Sequence, residues 1–195
     1  MSEKAIDTEL FDRAARYAID AHGGTERRGK GFPYVIHCFE AAAIAATLTN
    51  DPELLAAAVL HDVIEDTDAT EEDIRRLFGD RVARLVGSES DPELPELSGV
   101  DNWRARKIAV MERLAGADRD TKIVAIGDKL SNMRAIARDY EELGDGLWKR
   151  FCSDRREDHE WHYRTLAASL SELEGTPAYR EFTSLIDTVF GPRTD

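Results

Sequence analysis

The chain has 195 residues, of which 42% are hydrophobic and 33% charged, with a formal net charge of −13. This size and composition predict one globular domain with a substantial core, and the negative charge argues against a nucleic-acid partner, which would require a basic surface. No stretch resembles a signal peptide or a membrane span, and two cysteines are too few for a disulfide framework. We therefore expect a cytoplasmic protein with no membrane partner.

The first two predicted helices are separated by a cationic loop. Apolar residues recur at helical spacing over residues 6–22, and a second helical pattern opens at His37. The loop between them is punctuated by glycine and carries three cations, Arg27, Arg28 and Lys30. Such a loop is either solvated surface or a phosphate-binding element, and His37 is either structural or a ligand. The sequence leaves both alternatives open.

The third predicted helix holds the most informative stretch of the chain. Asn50-Asp51-Pro52 is typical of a helix start, and we predict a single helix over about 52–66. Its apolar first half runs without a helix breaker into four polar groups, His61, Asp62, Glu65 and Asp66. At about 3.6 residues per turn, these side chains share one strip of the helix. Buried carboxylates are costly unless a partner or a metal compensates them, and an adjacent His-Asp pair can supply two ligands. We predict a metal site here, with a solvated acidic helix end as the alternative.

The remaining chain is also predicted to be helical. The expected elements are a helix from Glu71 to Phe78 capped by Thr70, a short turn of helix from Asp80 to Val86, a loop at 87–101, helices from Trp103 to Leu114 and from Thr121 to Tyr140, one around Trp161, and a last one after Thr176-Pro177. On the long helix, Asp128 and Asn132 share a face close to the apolar stripe. Because no strand pattern occurs, we predict an all-α fold, a single helical bundle of about eight to ten helices with short loops over residues 1–195.

Several motifs resemble those of the HD-domain metal phosphohydrolases. His37, His61-Asp62 and Asp128 match the H…HD…D signature of that superfamily. The flanking elements resemble the hydrolase domain of Rel/Spo-type alarmone enzymes, and the chain is most similar to the stand-alone small alarmone hydrolases. These elements are Pro33-Tyr34-Val35-Ile36-His37, Ala57 to Thr67, Phe78-Gly79 with Leu85-Val86, and Ile126 to Arg134. Cys38 replaces the usual proline after the first histidine and Gly127 the usual alanine before Asp128, but neither change removes a functional group.

The resemblance implies a set of site residues and a reaction. His37, His61, Asp62 and Asp128 would bind Mn²⁺, although this ligand chemistry also allows Fe²⁺, Co²⁺ or Zn²⁺. Glu65 and Asp66 would position and deprotonate the attacking water. The candidate substrate-binding residues are Arg27, Arg28, Lys30, Lys129 and Asn132. The implied reaction is hydrolysis of the 3′-diphosphate of guanosine tetra- or pentaphosphate, a guanine nucleotide alarmone, to GDP or GTP and pyrophosphate.

Two other classes of function remain open. An HD-domain phosphatase of another nucleotide, such as an NADPH 2′-phosphatase or a general nucleotidase, would need the same metal ligands. A nucleotide sensor without catalysis could retain the fold, but the complete ligand set together with Glu65 and Asp66 argues against that alternative.

Overall fold

The computed structural model describes residues 8–92 and 94–192, and these residues form an all-α fold. Within them lie ten α-helices and two 3₁₀ helices, and their one β feature is an isolated bridge between Glu26 and Pro33. The predicted fold class is confirmed, while the first two residues of the predicted 6–22 helix lie outside the described ranges. None of the described helices combines the length and the hydropathy that a bilayer crossing requires.

The α-helices are α1 (Glu9–Ala21), α2 (Val35–Ala45), α3 (Pro52–Leu60), α4 (Val63–Asp66), α5 (Glu71–Phe78), α6 (Asp80–Gly87), α7 (Gly99–Ala115), α8 (Arg119–Leu143), α9 (Arg156–Ser169) and α10 (Pro177–Phe190). The two 3₁₀ helices are Gly144–Arg150 and Ser171–Leu173.

Local capping chemistry explains why several helices begin where the sequence predicts. Asp51 accepts a hydrogen bond from the Glu53 N–H, with Pro52 at the first helical position. Thr70 forms a capping box at the start of α5, and Thr176 caps α10. In each case a side-chain oxygen satisfies a backbone N–H that has no partner within the helix.

The predicted single helix over 52–66 is wrong. Helix α3 ends at Leu60, a turn follows at His61 and Asp62, and α4 begins at Val63. The Ala58 carbonyl, which the Asp62 N–H would bind in an unbroken helix, accepts a hydrogen bond from the His61 ring at 2.9 Å. The turn therefore coincides with the point where a buried polar side chain bonds to the helix backbone.

Two helix starts without a side-chain cap differ from the prediction, and α8, which Asp118 caps, begins at Arg119 rather than Thr121. Helix α2 begins at Val35 rather than His37, so His37 lies in its first turn. Helix α7 begins at Gly99 rather than Trp103, so its first residues lie in the segment that the sequence predicts as a loop. Neither start carries a side-chain cap, which is the signal that sequence reasoning relies on.

The chain forms two compact units, and neither is one continuous segment. The first takes the described residues up to Ser90 together with Ile123–Asp128, and the second takes Asp91–Lys122 and the residues from Lys129 onward. In the first unit, α3 packs against α1, α2 and α6 through small side chains such as Ala57. That the whole chain acts as one domain remains our prediction.

In the second unit, α9 packs against α7 and α10 around a core of aromatic side chains. The Trp148 ring stacks on His159 at 4.9 Å and on Phe190 at 5.5 Å. Arg104 of α7 is exposed, its guanidinium lies 4.1 Å from the centre of the Trp161 ring, and it pairs with Asp158 at 3.0 Å.

Candidate metal centre

The first unit holds a buried cluster of histidine and aspartate side chains from three places in the chain. His37 lies in the first turn of α2, His61 and Asp62 form the turn between α3 and α4, and Asp128 lies in α8. The exposed fraction is 3% for His37, 1% for His61 and 6% for Asp128. Asp62 is only partly exposed. Polar groups enclosed to this degree need compensation from one another or from a bound ion.

Both imidazole Nε2 atoms face the same two carboxylate oxygens. His37 Nε2 lies 3.4 Å from Asp62 Oδ2 and 3.1 Å from Asp128 Oδ1. His61 Nε2 lies 2.9 Å from Asp62 Oδ2 and 3.5 Å from Asp128 Oδ1. The fold thus brings together all four residues that were predicted as metal ligands.

The orientation of His61 suits a metal ligand. Because its Nδ1 bonds to the Ala58 carbonyl, which can only accept, Nδ1 carries the proton and Nε2 is the ligand atom in the neutral ring. His61 Nε2 is buried and makes no aligned hydrogen bond within the described residues, despite its short distance to Asp62. Two nitrogen and two oxygen donors around one point fit a first-row divalent ion.

The histidines and aspartates of the cluster stabilise each other's charged forms. Burial lowers the pKa of His61, but the Asp62 and Asp128 carboxylates outweigh it and hold that pKa well above its usual value. Burial likewise raises the pKa of Asp62, but His61 and His37 outweigh it and hold that pKa well below its usual value. The cluster therefore favours an ionised carboxylate beside a positive charge, which a metal ion can supply in place of an imidazole proton.

Sequence reasoning missed two residues beside this cluster, Tyr34 and His22. The Tyr34 hydroxyl donates a hydrogen bond to Asp62 Oδ2 at 2.7 Å, and the buried His22 ring lies 5.0 Å from the Tyr34 ring. Burial and the Asp62 carboxylate both raise the pKa of Tyr34, so its hydroxyl stays protonated and keeps donating. The position of Tyr34 three residues before His37, one helical turn away, was a usable signal. His22, at the end of the first helical pattern, offered none.

Glu65 and Asp66, the predicted catalytic pair, lie on α4 and reach solvent. The Asp66 N–H donates to the Asp62 carbonyl at 2.9 Å, which places Asp66 one turn beyond the ligand. Partial enclosure raises the pKa of Asp66, and the Asp62 carboxylate raises it further. A carboxyl group with a raised pKa is better suited to proton transfer near neutral pH than an ordinary aspartate.

The cationic loop folds back on itself, and its three cations differ in position. The Arg27 N–H donates to the Phe32 carbonyl at 2.9 Å, and the Arg27 guanidinium lies 5.1 Å from the centre of the Tyr34 ring. Arg28 is exposed and makes no ion pair within the described chain, while Lys30 is partly exposed. Arg27 is therefore connected to the buried cluster through Tyr34.

The two other predicted substrate-binding residues, Lys129 and Asn132, lie on α8 in the part that belongs to the second unit. Both are partly exposed, and Asn132 follows Asp128 by one helical turn. Their contact with a substrate stays a prediction.

A groove of about 690 Å³ in the first unit borders Asp66. Its lining includes four aspartates, Asp20, Asp66, Asp68 and Asp73. So acidic a groove repels phosphate groups, and an anionic substrate is better matched to the cationic loop.

Comparison with protein families identifies the class. The family model described as HD domain matches residues 14–153, and the chain belongs to the HD domain family. This confirms the superfamily predicted from the H…HD…D signature.

The chain is also similar in sequence to individual proteins of known name. The chain is 39% identical over 121 residues to the bifunctional (p)ppGpp synthase/hydrolase SpoT of Escherichia coli, and 34% identical over 133 residues to the GTP pyrophosphokinase rsh of Brucella ovis. The matched parts cover 61% and 67% of this chain but only 17% of either relative. The predicted resemblance to Rel/Spo-type enzymes is thereby confirmed.

Two solved structures share the fold. A metazoan ortholog of SpoT that hydrolyses ppGpp matches with a TM-score of 0.76, at 24% identity, over 97% of this chain and 100% of its own. The protein lmo0812 from Listeria monocytogenes EGD-e matches with a TM-score of 0.70, at 27% identity, over 80% of this chain and 99% of its own.

Proposed function

We propose that this chain hydrolyses the 3′-diphosphate of guanosine tetra- and pentaphosphate, releasing pyrophosphate and GDP or GTP. The observation that carries the proposal is the buried cluster of two imidazoles and two carboxylates with an acidic pair one turn away. The family and the similarity to a (p)ppGpp synthase/hydrolase support this choice of substrate.

The proposed cofactor is Mn²⁺, held by His37, His61, Asp62 and Asp128. The family resemblance favours manganese, and the donor set also suits other first-row divalent ions. When bound, such an ion supplies Lewis acidity and lowers the pKa of a water molecule in its vicinity.

The residues around the cluster would have separate tasks. Glu65 and Asp66 orient the attacking water and accept its proton while the water oxygen bonds to the phosphorus next to the 3′ oxygen. The bond from that phosphorus to the 3′ oxygen breaks, and the 3′ oxygen takes up a proton. Tyr34 fixes the orientation of Asp62 through its hydrogen bond.

Substrate binding would depend on local cations, because the chain as a whole carries a net charge of −13. Arg27, Arg28 and Lys30 bind the phosphates, and Lys129 and Asn132 make the remaining contacts with the nucleotide. A guanine nucleotide as partner is consistent with our expectation of a cytoplasmic protein.

One experiment tests the proposal against its alternatives. The metal-free protein is reconstituted with Mn²⁺, incubated separately with ppGpp, pppGpp, NADPH and GTP, and the products are separated by chromatography. We expect pyrophosphate with GDP or GTP from the first two substrates and no turnover by His61→Ala. If NADPH were the one substrate converted, to NADH and phosphate, the protein would be a different phosphatase. Nucleotide binding without any product would establish a sensor.

A further inference from the structure

Cys38 brings a sulfur atom to the edge of the metal centre. It follows His37 in α2, its side chain is fully buried, and it forms no disulfide. One ligand atom each from Cys38, His61 and Asp62 lie within 4.8 Å of one another. This group overlaps the proposed metal centre, because it shares His61 and Asp62 with it and differs from it by Cys38.

A second observation indicates that this group can bind an ion. His61 is 1% exposed, and its Nε2 makes no aligned hydrogen bond within the described chain, while Nδ1 is occupied by the Ala58 carbonyl. A buried nitrogen donor is therefore available beside a buried thiol and a carboxylate. Zinc binds sulfur at about 2.3 Å and nitrogen at about 2.1 Å, and at its tetrahedral angle these two ligand atoms lie about 3.6 Å apart. The ligand atoms of the group lie within 4.8 Å of one another, so rotations of the side chains that close these distances by about 1 Å give the tetrahedral spacing.

We propose that Cys38, His61 and Asp62 form an alternative, sulfur-containing ligand set that binds thiophilic divalent ions such as Zn²⁺, Co²⁺ and Cd²⁺. Coordination by Sγ releases the thiol proton to solvent, and no electron is transferred. Soft ions favour this set because thiolate is a soft ligand, whereas manganese favours oxygen and nitrogen.

The two ligand sets exclude each other because both contain His61, whose Nδ1 is already bonded to the Ala58 carbonyl, and both use Asp62. A thiophilic ion on Cys38 therefore prevents Mn²⁺ from binding to its own four ligands. The inference rests on the proposed metal centre but not on the proposed nucleotide, so it survives if the substrate proves different.

The chain offers a matched control, because it contains only two cysteines and the other one, Cys152, is exposed. The Cys152→Ala variant retains Cys38 as its sole thiol. Metal-free Cys152→Ala is titrated with one equivalent of Co²⁺, and the absorption spectrum is recorded with the bound metal content. We expect a sulfur-to-cobalt charge-transfer band in the near ultraviolet. Bound cobalt without that band would overturn the proposal and leave the proposed metal centre and function intact.

A comparison of metal affinities provides the second measurement. Removing a group that only supports a metal ligand lowers metal affinity by about 10- to 100-fold, and removing a ligand itself should cost no less. We therefore expect Cys38→Ala and Cys38→Ser to weaken Zn²⁺ and Cd²⁺ binding by at least about tenfold. Mn²⁺ affinity stays within about twofold of wild type, which also shows that the variants are folded. Unchanged Zn²⁺ and Cd²⁺ affinity in both variants would refute the proposal. If neither variant folds, the cobalt spectrum of Cys152→Ala alone decides.

Discussion

Tyr34 connects the cationic loop with the metal cluster at the scale of a single residue. Its hydroxyl donates a hydrogen bond to Asp62, and its ring contacts both the His22 ring and the Arg27 guanidinium. The position of Arg27 is thus set by a residue that also orients a proposed metal ligand. Of the three loop cations, Arg27 is the one that we expect to contribute most to phosphate binding.

Arg27→Ala should raise the KM for guanosine tetraphosphate by about 10- to 100-fold, because a hydrogen bond to a charged group contributes roughly 1.5–3 kcal/mol. Metal content should not change. The measurement is steady-state kinetics together with metal analysis, and Arg138→Ala, an exposed arginine on α8, is the control. If both variants had the same KM, Arg27 would not bind the substrate and the loop would be ordinary solvated surface.

Glu65→Gln tests the proposed proton acceptor, because it retains the shape of the side chain but removes its basicity. We expect kcat to fall by about a hundredfold or more, the scale of general-base assistance, with the metal content unchanged. Glu141→Gln, an exposed glutamate on α8, is the matched control. Near-normal turnover of Glu65→Gln would transfer the role of the base to Asp66.

At the scale of whole elements, the sequence predicted what local chemistry determines and failed where distant contacts decide. The helix starts at Asp51, Thr70 and Thr176 were predictable because each cap acts within three residues. The end of α3 was not, because it coincides with His61, whose ring bonds to the Ala58 carbonyl and faces Asp128 of α8 only in the folded chain. The four ligands could be named from their motifs. The position of Tyr34 one turn before His37 indicated that it lies near the cluster, but its hydrogen bond to Asp62, 28 residues away, depends on the fold.

The approach of α2 to α8 depends on one glycine. A methyl group at position 127 would lie 2.6 Å from the carbonyl oxygen of Ala41, far inside van der Waals contact. Ala41 lies one turn after His37, and Gly127 directly precedes Asp128, so this contact sets the spacing of the two ligands. The departure of this chain from the usual alanine therefore has a structural consequence at the metal centre.

Gly127→Ala should weaken metal binding by about tenfold, on the scale of lost ligand support. Its effect on the free energy of unfolding is the balance of two opposing contributions. Alanine favours the helix by about 1 kcal/mol relative to glycine, while overpacking against Ala41 costs about 1–3 kcal/mol. We expect a small net loss of unfolding free energy, measured by urea denaturation of the metal-free protein, and a clear loss in metal titration. Gly146→Ala, where a methyl group meets nothing within 4 Å, is the control. Wild-type metal affinity in Gly127→Ala would show that the helix spacing does not control the site.

At the scale of the whole molecule, stability should depend on pH through His159. Its Nε2 bonds to the Ser153 carbonyl at 2.8 Å, and its ring is buried against Trp148. Burial lowers the pKa of His159 below its usual 6.5, outweighing the opposite effects of the Ser153 carbonyl and the Asp158 carboxylate. The folded chain therefore binds fewer protons here than the unfolded chain. The resulting stability is complete above pH 6.5 and is lost as the pH falls through the lowered value.

The His159→Gln variant isolates this effect, since glutamine can donate to the Ser153 carbonyl but does not titrate. We expect the unfolding free energy of the wild type to fall more steeply than that of the variant as the pH is lowered from above to below 6.5. Urea denaturation at several pH values measures both slopes. Parallel slopes would mean that His159 has the same pKa in the folded and unfolded chains.

The discontinuity of the first unit has a consequence for the growing polypeptide on the ribosome. His37, His61 and Asp62 are synthesised early, but Asp128 is the last residue of that unit, and the segment from Asp91 to Lys122 must be made before it. At about 5–20 residues per second, the nascent chain carries three of the four ligands for several seconds before the fourth exists. The metal centre is therefore the last part of the first unit that translation completes.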